Sequence, residues 1–116
     1  MRVGVWIPIY GGWLRTNSHR YQPSFKTCYE VASRAEACSY DYVYVSENYL
    51  NVVYGEEFEV ADTWAFSAAI AAKTSKINIV TSTKPGFHSP LPIAKLGQGI
   101  NHISNGRFSI NIVCGW

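Results

Sequence analysis

Apolar residues along this chain form short runs that alternate with helical patterns. Four runs are rich in β-branched and aromatic residues, which is typical of strands. They cover residues 2–9, 40–45 and 77–81, and a closing run between Gly106 and Gly115. The closing run carries a single amide, Asn111, inside its apolar stretch. These patterns predict four strands, with Asn111 in the last of them.

Three helices are predicted between the strands. The first starts at residues 22–24, with Pro23 tolerated in the first turn, and runs to about residue 37. The second covers Thr63–Lys73, is rich in alanine and has Asp62 as its N-cap. The third covers residues 91–103 after Ser89 and Pro90, and Gly106 is predicted to supply its left-handed C′ residue.

The resulting order is β-α-β-α-β-α-β, which places the chain in the α/β class. Near-continuous apolar strands predict a parallel sheet buried on both faces, with right-handed crossovers. Two architectures fit this order, a doubly wound open sheet and part of a (β/α)₈ barrel. In both, function lies at the carboxyl ends of the strands. The candidate regions are therefore residues 10–13, 46–48, 81–88 and 111–116.

Composition narrows the function classes. The 116 residues suffice for one small domain, and 47% hydrophobic with 16% charged residues is typical of a globular protein. The net charge is +2 without a run of Lys or Arg, so nucleic-acid binding is not indicated. No apolar stretch reads as a signal peptide or a membrane span, and no membrane association is expected.

Three cysteines, Cys28, Cys38 and Cys114, lack metal-ligand spacing. Cys28 and Cys38 would lie about 15 Å apart along one helix, too far to form a disulfide. We therefore expect free thiols in a reducing compartment, and hence a cytoplasmic protein. The three histidines are dispersed, so no metal site is predicted.

Several other residues at the candidate regions could serve a site. His88 could line the cleft, and Lys84 could attract an anionic group. The simpler alternative is that both are solvent-exposed surface residues. Trp13 and Trp116 lie at the predicted functional rim. No pair of side chains forms a convincing general acid and base, so the catalytic residues stay unassigned.

Some segments carry a resemblance to a known family. They are Val5 to Ile9, Gly12 to Leu14, Ser89 with Pro90, and above all Asn105 to Phe108 with Asn111 to Trp116. Together they resemble the bacterial luciferase-like flavin monooxygenases, most closely the branch of pyrimidine, dimethylsulfone and alkanesulfonate monooxygenases. The resemblance covers essentially the whole chain. It implies that residues 1–116 are a single partial domain, the N-terminal half of a (β/α)₈ barrel.

The resemblance also implies a chemistry. Reduced FMN would be a cosubstrate, possibly delivered by a separate flavin reductase, and one oxygen atom of O₂ would enter a small organic substrate. The full-length protein would be a homo-oligomer. Two alternatives stay open. One is a deazaflavin-dependent oxidoreductase of the same superfamily, and the other is a non-catalytic, truncated flavin-binding protein.

Five cofactor-binding residues follow from matching the family's motif. Asn111 would hydrogen-bond the flavin ring. Glu47 and Asn48 would occupy a second contact position after the second strand, where Glu47 departs from the residues usual in this branch. Thr81 and Ser82 would lie at a third, where such proteins can carry a non-prolyl cis peptide. Contacts to the flavin phosphate would come from later loops.

Four parallel strands alone would leave two unpaired sheet edges and an open barrel interior. We therefore expect the 116-residue chain to be unstable or to associate when it is alone in solution. Size-exclusion chromatography with thermal unfolding checks this, and a sharp cooperative melt of a purified monomer would contradict it.

Overall fold

Strands and helices alternate along the chain in the computed structural model, which describes residues 1–10, 23–51 and 54–114. The elements are β1 (Gly4–Trp6), α1 (Phe25–Ala37), β2 (Tyr42–Val45), α2 (Thr63–Lys73), β3 (Asn78–Thr83), α3 (Pro90–Ile103) and β4 (Phe108–Ile112). The strands form one parallel sheet in the order β1-β2-β3-β4. The predicted element order and the parallel sheet are confirmed.

Local chemistry explains where the elements begin. The Ser24 side chain accepts a hydrogen bond from the Thr27 amide at 3.2 Å, and Asp62 accepts one from the Ala65 amide at 2.7 Å. Strand β1 is shorter than the predicted 2–9. The Ile7 amide still donates to the Tyr44 carbonyl at 2.9 Å, but Pro8 has no amide hydrogen with which to continue the ladder.

The end of α3 differs by one residue from the prediction. Asn105 occupies the C′ position with φ 54°, and its amide donates to the His102 carbonyl. Gly106 follows with φ 85°, and its amide donates to the Asn101 carbonyl. This is the Schellman pattern, in which two successive amides satisfy carbonyls of the last turn. Asparagine tolerates the left-handed region, so Gly106 is not the C′ residue.

The core lies between the helices and one face of the sheet. Val43, Val45 and Ile79 are fully buried there, against Ala32 and Ile70 of the helices. The prediction that every strand is buried on both faces is wrong for β1 and β4: no residue of β1 is buried, and Trp6 is 54% exposed. Strand β4 departs furthest from the prediction. Most of its residues are exposed, including Ile110 at 36% and Ile112 at 66%. Ile110 and Ile112 lie on the same side of the sheet as α3, in register with Thr81 and Thr83. They are exposed because β4 is an edge strand on which no further element packs among the described residues.

Charged side chains tie the elements together at the amino-terminal end of the strands. The Arg107 guanidinium donates to the carbonyls of Ala71, Thr74 and Ile77 at 2.6–3.1 Å, and so caps the end of α2. Glu36 Oε1 accepts backbone hydrogen bonds from Ser75, Lys76 and Ile77 at 2.6–3.0 Å. The arginine of the segment that carries the family resemblance is therefore a structural residue.

The other predictions concern thiols and membranes. Cys28 is buried, Cys38 and Cys114 are exposed, and all three are free, as expected. Burial raises the pKa of the Cys28 thiol to about 11.

Among the described residues, no helix has the length and apolarity needed to cross a membrane. Trp13, Trp116, His19 and the loop at residues 11–14 lie outside the described residues.

Glu36→Gln should destabilise the protein in a pH-dependent way. Partial burial raises the pKa of Glu36, but the three backbone hydrogen bonds and the Arg107 charge outweigh it, so the net pKa is lowered. The stabilisation is therefore present above the pKa of the unfolded chain and is lost as pH falls through the folded-state value. We expect a loss of about 1 kcal/mol at pH 7 that shrinks toward pH 3, measured by urea unfolding. Glu30→Gln on the exposed side of the same helix is the control, and a loss independent of pH would contradict the assignment.

Candidate functional site

The carboxyl ends of the four strands meet at one edge of the sheet because all the strands are parallel. Side chains alternate along a strand, so each strand presents a second set to the sheet face opposite α1–α3, here called the open face. The registers place Trp6 beside Tyr44 and Ser82 beside Asn111 on this face. The Trp6 and Tyr44 rings lie 5.0 Å apart between centroids. The open face thus combines aromatic rings with small polar groups.

Asn111 is exposed on the open face. Its Nδ2 donates to the Tyr44 hydroxyl at 2.9 Å, which fixes the amide across the neighbouring strands. Among the described residues, Oδ1 of Asn111 accepts no hydrogen bond. One acceptor and one further N–H therefore remain available to a ligand.

A second polar group lies after β1, β2 and β3. Asn48 Nδ2 donates to the Tyr10 hydroxyl, and the Tyr10 hydroxyl donates to Ser46 Oγ at 3.2 Å. Lys84 Nζ donates to Asn48 Oδ1 at 2.7 Å. Burial raises the pKa of Tyr10, although the hydrogen bonds to Ser46 and Asn48 oppose this, so the phenol is neutral at pH 7. Asn48 thus links a phenol to an ammonium group.

The Glu47 carboxylate is buried and hydrogen-bonded within the protein. Only 3% of the residue is exposed. Its Oε1 accepts from Trp64 Nε1 at 2.7 Å and lies 2.8 Å from His88 Nε2, and its Oε2 accepts from the Lys84 amide at 2.7 Å. The carboxylate therefore joins the end of β2 to α2 and to the loop after β3. These partners leave it engaged within the protein rather than presented to the open face.

His88 is arranged by Glu47. Because Nε2 lies within hydrogen-bond distance of a carboxylate oxygen, Nε2 carries a proton and donates it. The Tyr49 hydroxyl lies 2.6 Å from the same nitrogen, and burial followed by the Glu47 charge raises the pKa of Tyr49. His88 lines a cleft of about 380 Å³ together with Glu47, Asn48 and Trp64. This histidine is therefore not a free loop residue.

Thr81 and Ser82 point to opposite sides of β3. The Thr81 hydroxyl is fully buried and lies 2.7 Å from Ser67 Oγ of α2, so it does not reach the open face. Ser82 faces the other way, and its Oγ accepts from the Glu47 amide at 2.6 Å. The peptide bond between Thr81 and Ser82 is trans, as are all others in the described segments. Strand alternation leaves Ser82 as the only one of the pair on the open face.

Comparison with known proteins identifies the family. A family model described as luciferase-like monooxygenase matches residues 1–116. The chain belongs to the luciferase-like monooxygenase family. The chain is also 34% identical, over its whole length, to the pyrimidine monooxygenase RutA of Acinetobacter baylyi, of which it covers 32%. It therefore spans about a third of the length of the curated relatives that it matches.

Solved structures show how this luciferase-like chain is folded. An EDTA monooxygenase from Chelativorans sp. BNC1 superposes with a TM-score of 0.82 at 17% identity, over 99% of this chain and 29% of that one. A type II Baeyer-Villiger monooxygenase of Pseudomonas putida in complex with FMN superposes with a TM-score of 0.75 at 20% identity, over 100% of this chain and 30% of that one. An F420-dependent secondary alcohol dehydrogenase superposes with a TM-score of 0.77 at 22% identity, over 96% of this chain and 31% of that one. The four strands are those of a (β/α)₈ barrel, and a doubly wound sheet is excluded.

Sequence reasoning placed Tyr10 in a candidate region but missed Tyr44, the second tyrosine of the candidate site in this luciferase-like chain. Tyr10 and Tyr44 bind Asn48 and Asn111, the two amides that the sequence did predict. A signal for Tyr44 was present, because tyrosine and valine alternate strictly from Tyr42 to Val45. Such alternation indicates two different faces. The signal for Tyr10 was its place at the carboxyl end of the first predicted strand, within the candidate region 10–13.

In the described part of the chain, no group of three His, Cys, Asp or Glu residues could hold a metal ion. Glu47 is instead the residue whose charge organises this region of the luciferase-like chain. Its three partners come from α2 and from the loop between β3 and α3. Removal of one carboxylate oxygen would leave at least one buried donor without an acceptor.

Glu47→Gln should lower stability by about 1–3 kcal/mol, because an amide NH₂ cannot accept from Trp64, His88 or the Lys84 amide. The measurement is the free energy of unfolding in urea. Glu59→Gln, an exposed loop residue with the same change in charge, should have an effect of about 0.5 kcal/mol or less. Equal effects of the two substitutions would show that the Glu47 contacts contribute nothing.

Proposed function

We propose that this chain is part of an FMN-dependent monooxygenase, which uses reduced FMN and O₂ to insert one oxygen atom into a small organic substrate. The observation that carries the proposal is the open face. There, in a luciferase-like chain, Asn111, Ser82, Asn48 and Lys84 gather at the carboxyl ends of parallel strands, where (β/α)₈ enzymes place their sites.

The chemistry of these groups fits a flavin ring. An isoalloxazine is planar and carries nitrogen and oxygen acceptors along one edge, with one N–H donor between two carbonyls. The Asn111 amide offers both a donor and an acceptor, and Lys84 adds a cation. The Asn48 amide donates both of its N–H groups to Tyr10 and Ser46, so only its oxygen can accept a further hydrogen bond. The Trp6 and Tyr44 rings provide apolar aromatic surface on the same face. Glu47 and Thr81, whose side chains are engaged elsewhere, are not proposed as side-chain contacts.

The residues would position the ring and shield it. Asn111 would hold one polar edge through its free amide groups, with its orientation fixed by the Tyr44 hydroxyl. Asn48 would contribute only its amide oxygen after β2, with its orientation fixed by Tyr10, Ser46 and Lys84. When bound, the reduced flavin supplies the reaction with oxygen, and this chain contributes binding, orientation and exclusion of water.

We also propose that residues 1–116 are the N-terminal part of one barrel domain. An apolar groove of about 290 Å³ lies between α3 and β4, lined among others by Thr83, Ile93, Ile110 and Ile112. The Thr83 hydroxyl is buried there without a hydrogen-bond partner in the described part of the chain. A further element packed on β4 would cover this groove and complete the site.

The remaining parts of the proposal follow the relatives. RutA of Acinetobacter baylyi is named a pyrimidine monooxygenase, so a pyrimidine is the first substrate to test. A separate flavin reductase would deliver the cofactor, the intact enzyme would be a homo-oligomer, and the free thiols suit a cytoplasmic location.

A deazaflavin-dependent oxidoreductase is the second candidate. The observation in its favour is that an F420-dependent alcohol dehydrogenase has the same fold over this chain. A deazaflavin presents a similar polar edge to the open face but transfers hydride and needs no oxygen.

The deciding experiment supplies the intact protein with reduced FMN, O₂ and uracil, or with reduced deazaflavin and a carbonyl compound. We expect one ¹⁸O atom from ¹⁸O₂ in the pyrimidine product, measured by mass spectrometry. Activity with the deazaflavin alone would overturn the monooxygenase assignment. Absence of binding to either cofactor would favour a non-catalytic protein.

Asn111→Leu provides a second arm that does not depend on the substrate. We expect the Kd for FMN to rise by roughly 10-fold, as for the loss of a buried hydrogen bond, measured by fluorescence titration. Asn101→Leu on exposed helix α3 is the control. Equal affinities of the two variants would remove Asn111 from the site.

A further inference from the structure

Lys84 is held at both of its ends by the segment that follows β2. Its backbone amide donates to Glu47 Oε2 at 2.7 Å, and its Nζ donates to Asn48 Oδ1 at 2.7 Å. The residue is half-buried. Few surface lysines are fixed in this way, because a long side chain loses much rotational freedom when it is ordered. The position of this ammonium group is therefore built into the fold.

The charge of Lys84 is not neutralised within the described residues. Glu47 binds the backbone amide of Lys84, and its carboxylate oxygens otherwise bind Trp64 and His88. Among the described residues, no carboxylate lies within ion-pair distance of the Lys84 ammonium, and the one close contact between a carboxylate and a basic side chain joins Glu47 to His88 at 2.8 Å. The Lys84 ammonium thus rests on a neutral amide and has two further N–H donors.

Lys95 shows the ordinary alternative. Its Nζ also donates to an amide oxygen, that of Gln98, at 2.9 Å. That contact lies within one turn of α3, on an exposed surface away from the strand ends. The two lysines therefore share a partner type but differ in location, burial and backbone anchoring.

We propose that Lys84 is an anion-binding residue of the site, and that its ligand is a small molecule with negative charge on an oxygen or nitrogen of a planar or compact group. The proposal rests on the proposed function for the place of the site. Two sources carry this chemistry, the ring of reduced FMN and an acidic substrate such as a sulfonate or a deprotonated pyrimidine.

The physical basis is the setting of the ammonium group. A half-buried charge is screened less than one in bulk water, so it attracts an anion more strongly. Its direction is already fixed by Asn48, which in turn binds Tyr10, so little further ordering is required on binding. A ligand would replace water on the two free donors.

Comparison of reduced with oxidised FMN distinguishes an effect of Lys84 on the flavin ring from an effect on the phosphate. Both states carry the same phosphate, but the reduced ring is anionic at neutral pH and the oxidised ring is neutral. The test compares Lys84→Met, Lys84→Arg and the control Lys95→Met in the intact protein. Their Kd values are measured for both FMN states, under anaerobic conditions for the reduced one. Circular dichroism checks that each variant is folded.

If the ring is the anion, Lys84→Met should weaken reduced FMN by roughly 10-fold and leave oxidised FMN within about 2-fold. Lys84→Arg should restore most of the affinity, because the charge returns. Lys95→Met should change neither Kd. This pattern cannot arise from a general loss of structure, which would weaken both states of FMN together.

A second arm tests the substrate. If Lys84 binds an acidic substrate, both FMN affinities stay unchanged, and the Kd for methanesulfonate rises in Lys84→Met but not in Lys95→Met. No effect of Lys84→Met on reduced FMN or on methanesulfonate overturns the proposal. If the wild-type protein binds FMN in neither state, the proposed function fails, and the methanesulfonate arm alone decides the role of Lys84.

Discussion

The parallel pairing of the four strands is the constraint on which the rest of this structure depends. Because β1 to β4 all run in one direction, their carboxyl ends must share one edge. The described crossover helices α2 and α3 pack on one face of the sheet through contacts such as Ser67 to Thr81, and leave the open face uncovered. Residues distant in the sequence are thereby brought together, as when Asn111 reaches Tyr44.

Charged residues strengthen this arrangement at its two ends. Arg107 and Glu36 satisfy backbone groups at the amino-terminal end, where α2 finishes and β3 begins. Glu47 accepts hydrogen bonds at the carboxyl end, where it joins β2 to α2 and to the loop after β3. Buried ionic groups contribute little unless their polar atoms are paired, and in the described residues none of these three side chains has a buried polar atom without a partner. The strand ends are thus fixed before any ligand binds.

A division of labour follows for the polar residues at the carboxyl edge. Glu47 makes its contacts within the protein and connects the loops, whereas Lys84 and Asn111 keep hydrogen-bonding groups that no described residue uses. In the function proposed above, such groups would orient the flavin ring, which supplies the oxygen chemistry. Aromatic and apolar surface on the open face and on β4 would be covered in a completed barrel.

The sequence by itself determined the order of the elements and most of their boundaries, and it predicted a candidate site at the strand ends. It could do so because periodicity, caps and turn residues act over a few neighbours, as with Asp62 at α2. Only the tertiary structure decided that Glu47 connects β2 to α2 and to the loop after β3, that Thr81 faces α2, and that Lys84 is hydrogen-bonded through both its amide and its Nζ. Those properties depend on partners from 14 to 41 positions away, which no local pattern specifies.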